Sequence, residues 1–274
     1  MNKVTIYIPT KNRSNQLAHA VNSVLSQTYG NWELIVINDA STDGTYNYLE
    51  SIKSDKIKVI HQTESKGACV ARNLAITTAT GYFITGLDDD DFFHKDRLQK
   101  FIDAWNFKPE KYQILFTGRK EFFDNGEIKR EVLPKYKTVK KKDLLIANFI
   151  GNQIFTKTEH LRSISGFDEN LKMWQDIECW YRALSISDAL NINNSSYYMN
   201  VSERADRISF AKLNKLNETQ NYFASKHKLN WYDRKKLECN FIVYNPSLKL
   251  KIQKFLIMLF NGTFFKYVGC RIFK

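Results

Sequence analysis

The first 118 residues alternate short β-rich apolar runs with amphipathic helical patterns, and this alternation constrains the fold more than any other feature. "VTIYIP", "WELIVIN", "IKVIHQ", "YFITGL" and "QILFTG" are the strand-like runs. Between them lie helical patterns over residues 15–27, 42–53, 67–79 and 95–107. In the first, Leu17, Val21, Val24 and Leu25 share a face; in the last, Leu98, Phe101, Ile102 and Trp105 do. Alternation of this kind predicts an α/β fold: a Rossmann-like, mostly parallel sheet with helices on both faces. Ligands of such sheets bind beyond the carboxyl ends of the strands. The polar segments "PTKNR", "NDASTDGT" and "LDDDD" all follow strands, so all three should meet on one rim.

After Gly118 the pattern changes. "EFFDNGEIKREVL" reads as a hairpin turning at Asn125-Gly126. A basic segment, a strand-like "NFIGNQIFTK" and a helix near Trp174–Ile186 follow, and the final third is helical in tendency. We expect a catalytic body over 1–210, split into halves at about 118, and a basic helical extension over 211–274. Of the net charge of +12, residues 201–274 carry +10, from 15 Lys/Arg against 5 Asp/Glu. After Glu238 there is no acidic residue. A basic end on a nearly neutral body suggests an anionic partner, membrane or nucleic acid. No secretory signal is visible at the N-terminus, and no run approaches the roughly 18 apolar residues of a membrane span. Cys69, Cys179, Cys239 and Cys270 form no CxxC pair. Buried reduced thiols and a cytoplasmic location fit them.

Four motifs carry chemistry, each with a structural alternative. Asp39 ends an apolar strand and needs a partner; a nucleobase N–H or a ribose hydroxyl would serve, while Ser41 and Asp43 suit helix capping. Arg72, among the small residues of "KGACVARNLA", faces either a phosphate or a partner carboxylate. "LDDDD" concentrates like charges that raise one another's pKa unless a cation intervenes. In an extended strand Asp88 and Asp90 would point one way, Asp89 and Asp91 the other. Mg2+ or Mn2+ suits such oxygens, with substrate phosphates completing its shell. In "MWQDIECWYR", Glu178 and Arg182 are i,i+4 helix partners. Asp176 either stabilises the helix start or acts as a general base.

Taken together, "IPTKNR", "NDASTDGT", "KGACVARN", "LDDDD" and "WQDIECWYR" resemble the inverting glycosyltransferases of family 2, over about residues 3–210. The resemblance implies the GT-A fold. It implies a nucleotide pocket lined by Pro9, Thr10 and Asn12, with Asp39 on uracil or ribose and Arg72 near the base or diphosphate. It places Asp88 and Asp89 near ribose and metal, Asp90 as the ligand of Mn2+ or Mg2+, and Asp176 as catalytic base. Arg207, Trp174 and Glu178 are candidate diphosphate or acceptor contacts. Two departures stand out. Gln175 replaces the glutamate of the family's Glu-Asp pair, and no Gln-x-x-Arg-Trp motif is present, which favours a single transfer over processive action.

The expected function is transfer of a hexose, glucose before galactose, from a UDP-sugar to a lipid-diphosphate-linked N-acetylhexosamine. A β linkage follows from inversion, and the setting is O-antigen-type assembly. The expected place is peripheral, on the inner face of a bacterial inner membrane, with the anionic membrane surface as partner and no nucleic acid. A sugar nucleotidylyltransferase, or a non-enzymatic module that binds membrane or nucleic acid, are the alternatives.

Overall fold

A computed structural model describes residues 2–134, 136–202, 213–243 and 248–260. The order is β1 (Val4–Thr10), α1 (Ser14–Leu25), β2 (Trp32–Asn38), α2 (Thr45–Ser51), β3 (Ile57–His61), α3 (Ala68–Thr78) and β4 (Phe83–Gly86). Then come β5 (Phe92–Phe93), α4 (Arg97–Phe107), β6 (Ile114–Phe116), β7 (Arg119–Phe122), β8 (Ile128–Val132) and β9 (Thr138–Val139). β10 (Phe155–Lys157), α5 (Thr158–Ser163), α6 (Gln175–Ala183), β11 (Ala189–Asn191) and β12 (Tyr197–Asn200) complete the body. Helices α7 (Leu213–Lys226), α8 (Trp231–Glu238) and α9 (Leu248–Phe260) form the extension.

The main sheet has the order β3-β2-β1-β4-β10-β6-β11-β9. β3, β2, β1 and β4 run parallel, while β10 enters antiparallel between β4 and β6. Along β1 and β2 alternate residues serve opposite faces, as strand geometry requires. Val4, Ile6, Ile8, Leu34 and Val36 pack with α1, α2 and α4. Tyr7, Ile35 and Ile37 pack with α3, α5 and α6. Burial on both faces explains why these runs read as nearly continuous apolar stretches. A smaller sheet, β5-β12-β7-β8, grows directly from the acidic run, and its β7–β8 hairpin turns at the expected Asn125-Gly126.

The expected first-half strands and helices are all present, with shifted bounds. α2 starts only at Thr45, because Thr42 N–H donates to Asn12 Oδ1 and Asp43 Oδ1 accepts from Thr45 N–H. "NFIGNQIFTK" is a strand only over Phe155–Lys157. Its first half is a loop wound around Asn148, whose Oδ1 accepts from Gly151 N–H, with Gly151 at φ +94°. The boundary expected near 210 lies outside the described residues. What is described of the extension is not detached. Leu216, Phe223, Leu237, Cys239 and Met258 share one core with the sheet. Cys69, Cys179 and Cys239 are buried and free, while Cys270 lies outside the described residues. Among the described residues no helix is long and apolar enough to cross a membrane.

Phe155 is the keystone of the first core. It stacks on Phe101 at 4.6 Å between centroids and meets Phe83 at 4.9 Å. Phe155→Ala should cost about 3–5 kcal/mol of stability through lost burial and a residual cavity. A urea titration should show a lower midpoint at unchanged slope.

Candidate active site

The rim is built where β1, β2 and β4 end together. β1 pairs with β2 as far as Thr10–Asn38 but with β4 only as far as Tyr7–Gly86. Pro9 therefore sits where β4 has already left, and its missing N–H is not needed by the ladder. Asn12, at φ +55°, ties the two loops together: its N–H donates to Ser41 Oγ and its Oδ1 accepts from Thr42 N–H.

The acidic run is not an extended strand. Asp91 N–H donates to Asp88 O at 3.1 Å, closing a turn, so the expected two-faced alternation does not occur. The carboxylates are instead spread over several donors. Asp88 accepts from Arg72 Nη2 at 3.1 Å, Gln153 Nε2 at 3.2 Å and Asn152 Nδ2 at 3.2 Å. Asp89 accepts from Thr10 Oγ1 at 2.8 Å and Arg13 Nη1 at 2.9 Å, and Asp90 Oδ2 lies 3.5 Å from the same guanidinium nitrogen. Burial pushes the Asp89 carboxyl up to about 6, with Arg13 pulling the other way. Asp91 is only 3% exposed and accepts from Tyr197 Oη at 2.6 Å and Asn200 N–H at 2.8 Å. Burial again raises it well above the ordinary range.

Asp39 is buried at the end of β2. Its carboxylate accepts from Lys66 N–H at 2.7 Å, Ser65 Oγ at 2.8 Å and Gly67 N–H at 3.0 Å. It thus shapes the loop that opens α3 and keeps about one lone-pair position for another donor. Arg72, on α3, is the carboxylate-facing alternative realised. Its Nη1 donates to Gln175 Oε1 at 2.9 Å, its Nη2 to Asp88, and its guanidinium lies over the Phe167 ring. Burial is the largest single influence and works against its charge, but Asp88 and the neighbouring groups together raise it above its ordinary value. Gln175 Nε2 in turn donates to Leu171 O.

Asp176 opens α6 beside this bridge. Its Oδ1 accepts from Ile177 N–H at 2.9 Å and its Oδ2 from Asn148 Nδ2 at 2.7 Å. Asn148 cannot rotate freely, because its Oδ1 is held by Gly151 N–H. Burial raises Asp176 to about 6; Ile177 N–H and Arg72 oppose this, and Asp88 adds to it. Trp174 precedes the helix at φ +56°, a strained conformation for a bulky residue, with its ring 5.6 Å from that of Phe241. Its Nε1 is buried with no hydrogen-bond partner among the described residues.

Glu178 is placed differently from a diphosphate or acceptor contact. It is fully buried, 2.7 Å from Arg182 Nη2, 2.8 Å from Lys226 Nζ and 3.0 Å from His227 Nε2. Burial opposes its charge, yet hydrogen bonds from His227 and Arg182 hold it down at about 2. It pins α6 to the extension. Arg207 lies outside the described residues. Sequence reasoning assigned no role to Arg13, Asn148, Asn152, Gln153 or Tyr197; Arg13 stood inside a quoted motif, and the others carried no local signal.

Among the described residues no three His, Cys, Asp or Glu side chains gather to hold a metal alone. A hard divalent cation needs only one or two carboxylates when diphosphate supplies the rest. Asp89 and Asp90 already converge on one cationic group, and their all-oxygen donor set suits such an ion.

The sequence profile described as "Glycosyl transferase family 2" matches residues 5–165. The chain belongs to glycosyl transferase family 2. A putative colanic acid biosynthesis glycosyl transferase, WcaA, of Escherichia coli K12 is 35% identical over 185 residues, 65% of each chain. The E. coli UDP-Glc:alpha-D-GlcNAc-diphosphoundecaprenol beta-1,3-glucosyltransferase WfgD is 38% identical over 126 residues, 46% of this chain and 48% of its own. The alignments with WcaA and with putative glycosyltransferase EpsE of Bacillus subtilis span 65% and 66% of those relatives' lengths. Staphylococcus aureus TarS 1-349 in complex with UDP shares the fold at TM-score 0.67 and 22% identity, over 91% of this chain and 75% of that one. Family and fold agree with the resemblance, and the architecture is GT-A.

Asp91 ties the turn after β4 to β12 of the smaller sheet. Asp91→Ala would strand the Tyr197 hydroxyl and the Asn200 N–H, at about 1–3 kcal/mol for each unsatisfied group. We expect a lower denaturation midpoint with UDP affinity retained, measured by calorimetry on the folded variant.

Proposed function

We propose that this family 2 enzyme is a metal-dependent inverting hexosyltransferase. It moves glucose, or next galactose, from a UDP-sugar to a hydroxyl of an undecaprenyl-diphosphate-linked N-acetylhexosamine, forming a β linkage in O-antigen-type polysaccharide assembly. The observation that carries it is the Asp176 carboxylate. It is oriented on one oxygen by Asn148 and on the other by Ile177 N–H, and the Gln175–Arg72–Asp88 bridge connects it to the nucleotide rim. WfgD's glucosyl donor and lipid-linked acceptor supply the substrate classes.

In this reading Pro9, Thr10, Asn12, Asp39, Asp88 and Asp89 shape the nucleotide pocket, and Arg72 fixes the position of Asp88 against α6. Asp90 would hold Mn2+ or Mg2+, which when bound supplies charge neutralisation for the departing diphosphate. Asp176 takes the proton of the acceptor hydroxyl. The acceptor oxygen bonds to the anomeric carbon on the face opposite UDP, the bond to the phosphate oxygen breaks, and an α-linked donor gives a β product. The acceptor stays in the bilayer, so the enzyme works peripherally, at the cytoplasmic face of the inner membrane.

Incubation with UDP-glucose, Mn2+ and a lipid-diphosphate N-acetylhexosamine should release UDP and extend the lipid. Consumption of only a non-UDP nucleotide sugar would reject the donor class. Asp90→Ala should abolish the metal-stimulated turnover; near-normal turnover in limiting Mn2+ would move the metal elsewhere.

Asp176→Asn should lower kcat by about 10²–10⁴-fold. Both oxygens of Asp176 accept hydrogen bonds, so the amide satisfies only one of the two donors, and UDP affinity is the control for an intact site. The base acts as carboxylate. With Asp176 at about 6, against an ordinary 3.8, kcat should rise with pH through about 6 and level off above it. Unchanged kcat in a folded Asp176→Asn protein would return Asp176 to a capping role.

A further inference from the structure

α9 turns an apolar face away from the body. Ile252, Leu256, Leu259 and Phe260 recur at i, i+4, i+7 and i+8, on one side of a helix. They are 51%, 44%, 46% and 80% exposed. The opposite side is fixed by Ile257 and Met258, buried in the core, and Gln253 on the edge of the stripe donates through Nε2 to Lys235 O at 2.8 Å and Glu238 Oε2 at 3.1 Å. The helix is therefore held in rotation with its apolar stripe outward. Elsewhere among the described residues large exposed apolar side chains come at most two to an element. A contiguous stripe of this kind marks an interaction surface.

Charge decides among the occupants. The stripe is set in a chain segment with no acidic residue after Glu238, and Lys251 beside it is exposed. A second copy would bring the same cationic surface against its like, in a protein of net charge +12. Residues 261–274 carry Lys266, Arg271 and Lys274 and no acid, so they too lack complementary charge. An anionic phospholipid bilayer complements both features: the acyl boundary accepts the apolar side chains while headgroups meet the lysines.

We propose that the outward face of α9, built from Ile252, Leu256, Leu259 and Phe260, docks the enzyme on an anionic phospholipid surface. This deepens the reading that the acceptor is lipid-linked and locates the contact on one rigid helix. The catalytic body then meets the bilayer in a fixed orientation, because α9 shares the core that also holds α6.

The test is flotation of the full chain with vesicles of phosphatidylcholine alone or containing about one-third phosphatidylglycerol, at low and high salt. The wild type should float with the anionic vesicles and be weakened by salt. L256E/L259E should bind at least about tenfold more weakly. Phe107→Glu, an equally drastic change at a side chain 89% exposed on α4, should bind as the wild type does. UDP binding, measured by calorimetry on each protein, reads the transferase reading separately. If the wild type ignores anionic vesicles yet binds UDP, the docking surface is wrong and the transferase reading stands. Equal flotation of L256E/L259E and wild type would also reject α9. So would a wild-type dimer that L256E/L259E converts to monomer, which would assign the face to a second copy.

Discussion

The Arg72 guanidinium lies between two parts of the chain that are far apart in sequence, and the site depends on how it is shared. One nitrogen goes to Asp88 at the end of β4, the other to Gln175 at the start of α6. A carboxylate at position 175 would have competed with Asp88 for this cation and placed a second negative charge next to Asp176. The neutral amide accepts the same hydrogen bond without doing either. Gln175 therefore keeps the bridge to Arg72 while placing no charge beside Asp176.

The four aspartates illustrate the same principle of distributed donors. A run of like charges is tolerable because a turn spreads the carboxylates over several groups: Asp88 to Arg72 and two amides, Asp89 to Thr10 and Arg13, Asp90 to the same Arg13, and Asp91 to Tyr197 and Asn200. Their roles separate accordingly. Asp91 ties the turn after β4 to β12 of the second sheet, while Asp89 and Asp90 face a shared cationic position. Dehydration is resisted by hydrogen bonding only in part, which is why Asp89 and Asp176 both sit near 6.

The parallel half of the fold was legible because its strands and helices have distinct periods and its polar loops fall at strand ends. Pro9, Thr10, Asn12, Asp39, Arg72, Asp88 and Asp89 do come together around that rim. β10 was half hidden, since Asn148–Asn152 is as apolar and polar by turns as a strand but folds around the Asn148 amide. Contacts between distant residues were not legible at all. Tyr7 meets Gln153 across 146 positions, and Asp91 meets Asn200 across 109. Glu178 was read correctly as the i,i+4 partner of Arg182, but nothing local announced that Lys226 and His227 would close over it. One-dimensional patterns carry face and period, whereas pairing across the fold requires the topology.

The buried Glu178 cluster has a consequence for how this protein could have been assembled. The carboxylate belongs to the same helix as Asp176, while two of its partners, Lys226 and His227, belong to α7 and the residue after it. Stripping those partners would leave the buried carboxylate with Arg182 alone and with acceptor positions unfilled, which is more costly than losing a surface pair. The catalytic body and the basic helices are thus not interchangeable modules. A recombination event that swapped in another C-terminal region would have to supply a matching cation and a second hydrogen-bonding side chain at these two positions. Changes in α7 and changes in the helix that carries Asp176 are bound together through one glutamate.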